Sequence, residues 1–533
     1  MKYRFITRVA ALLALAWTGA ACERFLDTLP DNRTDIDTDA KITSLLVSGY
    51  DEHPGIVLTE MASDNIDSRG TLGSAYNRLQ DEQFAWKDML ETGNDSPKAV
   101  WEGCYSAIAV ANQALQAIEE LGSPARLNPQ RGEALLIRAY HHFRLVNVFG
   151  LHYSKSHGET DLGVPYMTEP ETTVSPVYTR ASVAEVYRRI EEDLVEGLPL
   201  IDDNIYTVPK YHFNMKAAHA FATRFYLYYG KYDKVVEHAT VVLGNTPLNA
   251  LRRVSDYSVL EGDYSLIAGD YILPKHETNL LLIPVYSYAG QIFRNVSYGK
   301  RYAHSQLLAS TEVSRVTGPW GTYRSSPPTF YHQTSSYSNY GGYICMPKYP
   351  NLFQYTDRVA GTGYTRTVQV AFTADETLLC RAEAYIMLEQ YDKATEDLAL
   401  WMSSHSSTTV TLTRGLINSF YSDPTPDPDA PDDPHYYAWD APTVKKRLNP
   451  ETPIVSDEQE NFLHCLLHFR RVETLFDGLR WYDIKRFGIV IYRREIDANN
   501  RYTLLDELPV NDPRRAIQLP DPVIKAGMTP NPR

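Results

Sequence analysis

Apolar residues recur every three to four positions through three stretches of the first two hundred residues. "VWEGCYSAIAVANQALQAIEEL" sets Trp101, Tyr105, Ile108, Asn112, Leu115 and Ile118 on one stripe, which predicts a core-facing helix. "RGEALLIRAYHHFRLVNVFG" repeats the pattern and stops at Gly150, a suitable C-terminal cap. "SVAEVYRRIEEDLVEGLPLI" opens on Ser182 with Glu185 three residues later, the spacing of a capping box. Two later segments copy one another without gaps: "FYLYYGKYDKVVEHA" (225–239) and "AYIMLEQYDKATEDL" (384–398). Each reads as helix, tight turn, helix. Small residues such as Ala222 and Ala382 permit close packing, and Asp233 and Asp392 stand where they could cap the second helix. The copies are scattered rather than tandem, which points to a helical framework with long insertions, not a uniform solenoid.

The helical period fades over 245–372, where Tyr, Ser, Gly and Pro prevail and apolar runs such as "NLLLIPVYSYAG" are short. Loops and short strands are expected there. The helical scaffold is expected mainly over 95–244 and 373–490. "SDPTPDPDAPDDP" (422–434) has Pro too often for a helix and reads as an exposed acidic loop, with Ca²⁺ chelation as the alternative. The tail "LPDPVIKAGMTPNPR" is Pro-broken and is expected to run along the surface. Near it, Arg470, Arg471, Glu473, Arg480, Asp483 and Arg486 recur at helical intervals around Leu475, Phe476 and Trp481, which predicts ion-paired edges on a scaffold helix.

The N-terminus changes the compartment. Lys2, Arg4 and Arg8 precede the apolar run "VAALLALAW", too short to span a bilayer, and then Gly19, Ala20 and Ala21 lead to Cys22. A signal peptide over 1–21 is expected, with Cys22 lipidated and first in the mature chain 22–533. The position three before the Cys holds Gly where such signals usually carry Leu. Losing 1–21 takes the formal charge from −14 to −17, which argues against nucleic acid or an anionic lipid surface as the target. Five cysteines without a C-x-x-C pair point to buried thiols rather than zinc or a disulfide framework.

H-E-x-x-H, G-x-S-x-G, Walker and dinucleotide-binding motifs are all missing. His464 and His468 lie one turn apart and read as packed helix-face histidines; His141 and His142 are adjacent and point apart. No metal or cofactor is expected, and the chain reads as a binding protein rather than an enzyme. The abundant residue is tyrosine, with 38, crowded into the insertions. Aromatic faces stack on the C–H faces of sugar rings, and the hydroxyl adds a hydrogen bond. Trp320 and Tyr323 in "GPWGTYRSSP" are the first candidates for ligand contact, because Gly and Pro would hold those rings on a loop. Asn65, Asp67 and Arg69 in the polar "SDNIDSRG" follow, then Tyr298 and Tyr340.

The order of several motifs resembles the SusD/RagB family of nutrient-binding outer-membrane lipoproteins of Bacteroidetes-type bacteria. Cys22 followed by "FLDTLP", then "WEGCYSAIAVANQAL", "GEALLIRAYHHFRLVNVFG", "YTRASVAEVYRRIEEDL" and "LLHFRRVETLFDGLRWYDIKRFG" are similar to its successive motifs. The resemblance implies a mainly α fold built on four tetratricopeptide-like helix pairs with an irregular ligand-binding part. It implies a lipid anchor on the outer leaflet, with Glu23 and Asp27 after Cys22 similar to a surface-export signal. It implies partnership with a SusC-like TonB-dependent β-barrel transporter, to which the protein delivers oligosaccharides. Peptide capture, a protein-binding scaffold and an unrecognised glycan hydrolase are the alternatives.

Overall fold

A computed structural model describes residues 36–74, 77–171, 178–260, 263–293, 300–321, 335–337, 342–422, 439–440, 442–499 and 501–533. Eight long helices carry it, and the fold is mainly α. These are α1 (Pro97–Glu120), α2 (Asn128–Phe149), α3 (Val183–Gly197), α4 (Met215–Tyr229), α5 (Tyr232–Leu243), α6 (Ala374–Met387), α7 (Tyr391–His405) and α8 (Asp457–Glu473). Helix α1 packs on α2 and α2 on α3; α4, α5, α6 and α7 pack in succession, and α8 lies against α6. The duplicated segments are the pairs α4–α5 and α6–α7.

The stripe on α1 is wider than expected, with Trp101, Ile108, Asn112 and Ile118 buried as read. Cys104, Ala107, Ala111 and Ala114 are buried, whereas Tyr105 and Leu115 are half-buried. Small side chains permit the close approach, so the larger ones on the neighbouring face are left to line a groove. Helix α2 is buried nearly all round, and its buried charged residues find partners. Arg138 grips Asp193 of α3 at 2.6 and 2.8 Å, Glu133 accepts from Tyr50, and Arg144 donates to Asp51.

Helix ends follow local chemistry, with two corrections. The Ser182 hydroxyl accepts from the Glu185 N–H, but the Glu185 carboxylate turns to Arg188 and Arg189 instead of closing the box. Asp233 and Asp392 do not cap their helices. Lys231 and Gln390 hold those positions, and the aspartates sit in the first turn, where the helix dipole favours a negative charge.

Two sheets interrupt the helices. One has the order β2 (Asn279–Tyr286), β7 (Thr362–Thr373), β6 (Leu352–Asp357), all antiparallel; β7, at 12 residues, exceeds the short strands expected. The other runs β4 (Ser335–Tyr337), β5 (Tyr343–Cys345), β3 (Tyr302–Ser305), β1 (Asp67–Ser68), β8 (Ile491–Ile496), β9 (Tyr502–Leu508). It gathers the early polar loop, the tyrosine-rich insertion and the C-terminal hairpin into one layer. The insertion also holds the helices Tyr264–Tyr271 and Gln306–Glu312.

The C-terminal basic block is core, not edge. Arg470 and Arg486 share Asp483, and Arg480 forks onto Asp64 at 2.9 and 2.9 Å. The arginines face inward because their carboxylate partners lie beneath α8 and the helix Arg480–Arg486. The tail forms a short helix, Asp521–Lys525, and is fastened beyond it. Asn531 and Gln518 bond reciprocally (2.8 and 3.1 Å), and the Asn531 amide donates to the Phe149 and Ile517 carbonyls. Cys104, Cys345, Cys380 and Cys465 are buried and form no disulfide among the described residues. Among the described residues no helix is long and apolar enough to cross a membrane. The 422–434 loop beyond Ser422, and Cys22, lie outside the described residues.

Candidate functional site

The loop holding Asn65, Asp67 and Arg69 is built into the interior. Asn65 is fully buried; its amide donates to Glu60 (2.8 Å) and its carbonyl accepts from Arg471 (2.9 Å). Asp67 accepts from Ser305 (2.7 Å) and Arg494 (3.1 Å). Arg69 donates to the Lys300 carbonyl (2.9 Å) and covers the Tyr343 ring at 4.8 Å. All three sew the loop to β3, β5 and β8 rather than face solvent. A polar motif between turns looks the same in sequence whether water or buried partners satisfy it.

Trp320 is likewise core, with no exposed surface, packed on His468 (4.9 Å) and Phe469 (5.4 Å) of α8. The flanking glycines explain why. Gly318 and Gly321 exchange backbone hydrogen bonds, and a Cβ at Gly318 would stand 2.4 Å from the indole. They let the ring fold under its own turn instead of holding it outward. Tyr298, Tyr323 and Tyr340 lie outside the described residues.

Above this buried layer opens a cleft of about 520 Å³, between the β1 end, the helix Arg78–Phe84 and the β8–β9 hairpin. Its lining is mixed and includes Ser68, Thr71, Lys87, Arg301, Tyr302, Glu495 and Asp506. Ser68 donates to Glu495 (3.0 Å) and accepts from the Gly70 N–H (3.1 Å). The Tyr302 hydroxyl donates to Asp81 (2.6 Å), and its ring stacks on Phe84 at 4.6 Å. Burial, and then the Asp81 bond, push that phenol up to about 12, so it stays a neutral donor. Behind Phe84, Arg493 donates to the carbonyls of Met61, Ala62, Ser63 and Phe84 and lies over the Phe84 and Trp86 rings. It thereby caps the C-terminal end of the helix Ile56–Ala62. Burial drives its guanidinium down to about 9. A bulge between Arg493 and Arg494 lets both neighbours turn inward, one to these carbonyls and one to Asp67 and Glu312.

The floor beneath is an ion network. Glu312 meets Lys446 (2.6 Å), Arg494 (2.9 Å) and Arg471 (3.0 Å), while Asp64 takes Arg480 and Arg471. Burial alone would raise Glu312, but these three cations hold it down at about 2. A separate buried trio, Asp375, His405 and Glu473, lies within a metal's reach of one another. Its carboxylates are already engaged within the protein: His405 contacts Glu473 at 2.9 Å, Trp401 donates to Glu473, and Arg252 donates its backbone N–H to Asp375.

Carboxylates, hydroxyls and a guanidinium on one open wall can pair with a polyhydroxylated ligand, whose hydroxyls both donate and accept. Sequence reasoning missed Asp81, Arg301 and Glu495, and did not single out Tyr302 from the other tyrosines of the insertion. The available signal was "IYRREI", whose charged residues stand inside a strand pattern bounded by isoleucines.

Residues 24–227 match the SusD-like_3 family model, described as starch-binding associating with outer membrane. No curated protein matches the chain. Solved structures do. A SusD superfamily protein from Bacteroides vulgatus superposes with a TM-score of 0.64 at 19% identity, covering 94% of this chain and 99% of that one. One from Bacteroides thetaiotaomicron gives 0.62 at 18% identity, covering 92% and 98%. A SusD-like carbohydrate binding protein from Bacteroides vulgatus gives 0.61 at 15% identity, covering 91% and 96%. Residues 24–227 are thus similar in sequence to the SusD-like_3 family, and the chain shares the fold of the solved SusD superfamily structures along nearly its whole length.

Proposed function

We propose that this protein is a surface lipoprotein of the outer membrane that captures oligosaccharides in the polar cleft without cleaving them. It passes them to a SusC-like TonB-dependent barrel. The observation that carries the reading is the cleft itself: Arg301, Tyr302, Glu495 and Ser68 converge on one open wall over a rigid floor. The family description of residues 24–227 and the carbohydrate-binding relative support sugar as the ligand class. Lipid on Cys22 supplies the tether, since each buried CH₂ contributes about 0.8 kcal/mol. Release into a transporter needs only micromolar to millimolar affinity, roughly 4–8 kcal/mol, which a few hydrogen bonds and ring contacts provide.

Titration calorimetry of the mature protein against a panel of starch-derived and other oligosaccharides tests this. Binding of at least one glycan, recovered intact after long incubation, is the expected result. Silence across the panel, or appearance of shortened products, would sink it. Mass spectrometry of the cell-extracted protein checks the acylation of Cys22.

A further inference from the structure

We propose a second binding site, in the groove beside α1, for an organic ammonium with an apolar body. The groove holds about 360 Å³. Its back wall is the large-residue face of α1: Trp101 and Tyr105 stand 4.9 Å apart with planes at 53°, forming a corner of two aromatic faces above Ile108. Met167 and Met528 close it from opposite sides. Thioethers adapt to varied apolar shapes.

The walls are built rather than incidental. Tyr105 donates to the Pro165 carbonyl (2.8 Å), and the Asn112 amide donates to those of Met167 and Glu169. His142 accepts from the Met167 N–H (3.0 Å). The opposite wall is the C-terminal tail, pinned by the Asn531–Gln518 pair and by Arg180 donating to the Thr529 carbonyl (3.0 Å). A polar side chain anchors each wall, and the apolar lining faces the opening between them.

Charge selects the ligand. Glu169 and Glu171 line the groove, with Tyr178 donating to Glu171 at 2.5 Å; no Lys, Arg or His is among the described lining residues, and Arg180 stands behind the tail wall, held by backbone carbonyls. Aromatic faces with carboxylates at the rim attract a cation and disfavour an anion. Because both glutamates are exposed, water and salt screen part of the attraction, and the apolar body must supply the remainder. The polar cleft offers the reverse mixture, so this site does not rest on the glycan reading.

The test is calorimetry on the full mature protein with three probes of one shape: 4-phenylbutylamine, 4-phenylbutan-1-ol and 4-phenylbutyrate. The amine should bind about fivefold more tightly than the alcohol at low salt, and the acid most weakly. Ala109→Trp places a bulky ring at an exposed lining position. It should weaken the amine at least tenfold while the melting temperature stays unchanged. Glu169→Gln with Glu171→Gln should bring the amine to the level of the alcohol. Equal binding of amine and alcohol, or undiminished amine binding in Ala109→Trp, would overturn the proposal. So would an amine signal abolished by Tyr302→Phe but not by Ala109→Trp.

Discussion

The polar cleft and the apolar groove are built from opposite materials. The cleft shows polar groups to solvent and rests on more polar groups: beneath Ser68 and Glu495 lie Asp64, Glu312 and four cationic side chains, all buried. The groove shows rings and thioethers, and its polar groups are spent behind the surface in fixing the walls. A cleft made of exchangeable hydrogen bonds needs a floor that cannot move. Ion pairs of high directionality supply it, provided none is broken. The groove needs only shape, so neutral hydrogen bonds to backbone carbonyls suffice. The cleft should therefore depend steeply on single charges and the groove mildly on single amides.

The largest expected effect follows from breaking the floor. Asp64→Ala leaves Arg480 buried without its carboxylate and Arg471 with Glu312 alone, and should cost about 3–5 kcal/mol in urea unfolding. A loss under about 1 kcal/mol would mean that the network is slack and the contrast false. Trp320→Ala should cost about 3 kcal/mol or more, because the indole fills the space over His468 and Phe469. Weakened glycan binding with unchanged stability would instead restore Trp320 as a ligand contact. Acid comes next. Glu312 titrates lower in the fold than its ordinary 4.5, so its contribution is complete above that pH and is lost as pH falls toward about 2. Wild type should lose on the order of 2–3 kcal/mol through this interval that Glu312→Gln, already destabilised, does not lose. Parallel pH profiles for the two would remove the floor as the acid-sensitive element. On the groove side, Asn531→Ala should cost about 1–2 kcal/mol and loosen amine binding. The smallest effect is that of Tyr302→Phe. It deletes one cleft hydroxyl and should weaken glycan binding about two- to tenfold with little change in melting temperature.

The two copies of the helix pair show how much of the scaffold was legible. The shared Tyr-Asp-Lys turns lie where the repeat placed them, because helix period and turn chemistry are local. Between the helices the copies differ. Arg381 forks onto Asp397 across α6 and α7, while the first copy has Ala222 and His238 at the matching positions. There His238 stacks on Tyr226 and contacts His219. Alignment located both pairs but did not reveal which contact holds each together.

The site was far less legible. "SDNIDSRG" and "GPWG" were read as exposed loops, whereas the fold buries Asn65, Asp67 and Arg69 against polar partners and lets Trp320 fold under its own glycine turn. Pattern along the chain determined the helices and their order, since each depends on neighbours within about a turn. Which face of α1 meets α2, whether Arg471 sees water or Asp64, and which tyrosine reaches a cleft were decided by contacts spanning hundreds of residues. A side chain's surroundings are set by what the fold brings across to it, and the sequence near that side chain carries no record of the partner.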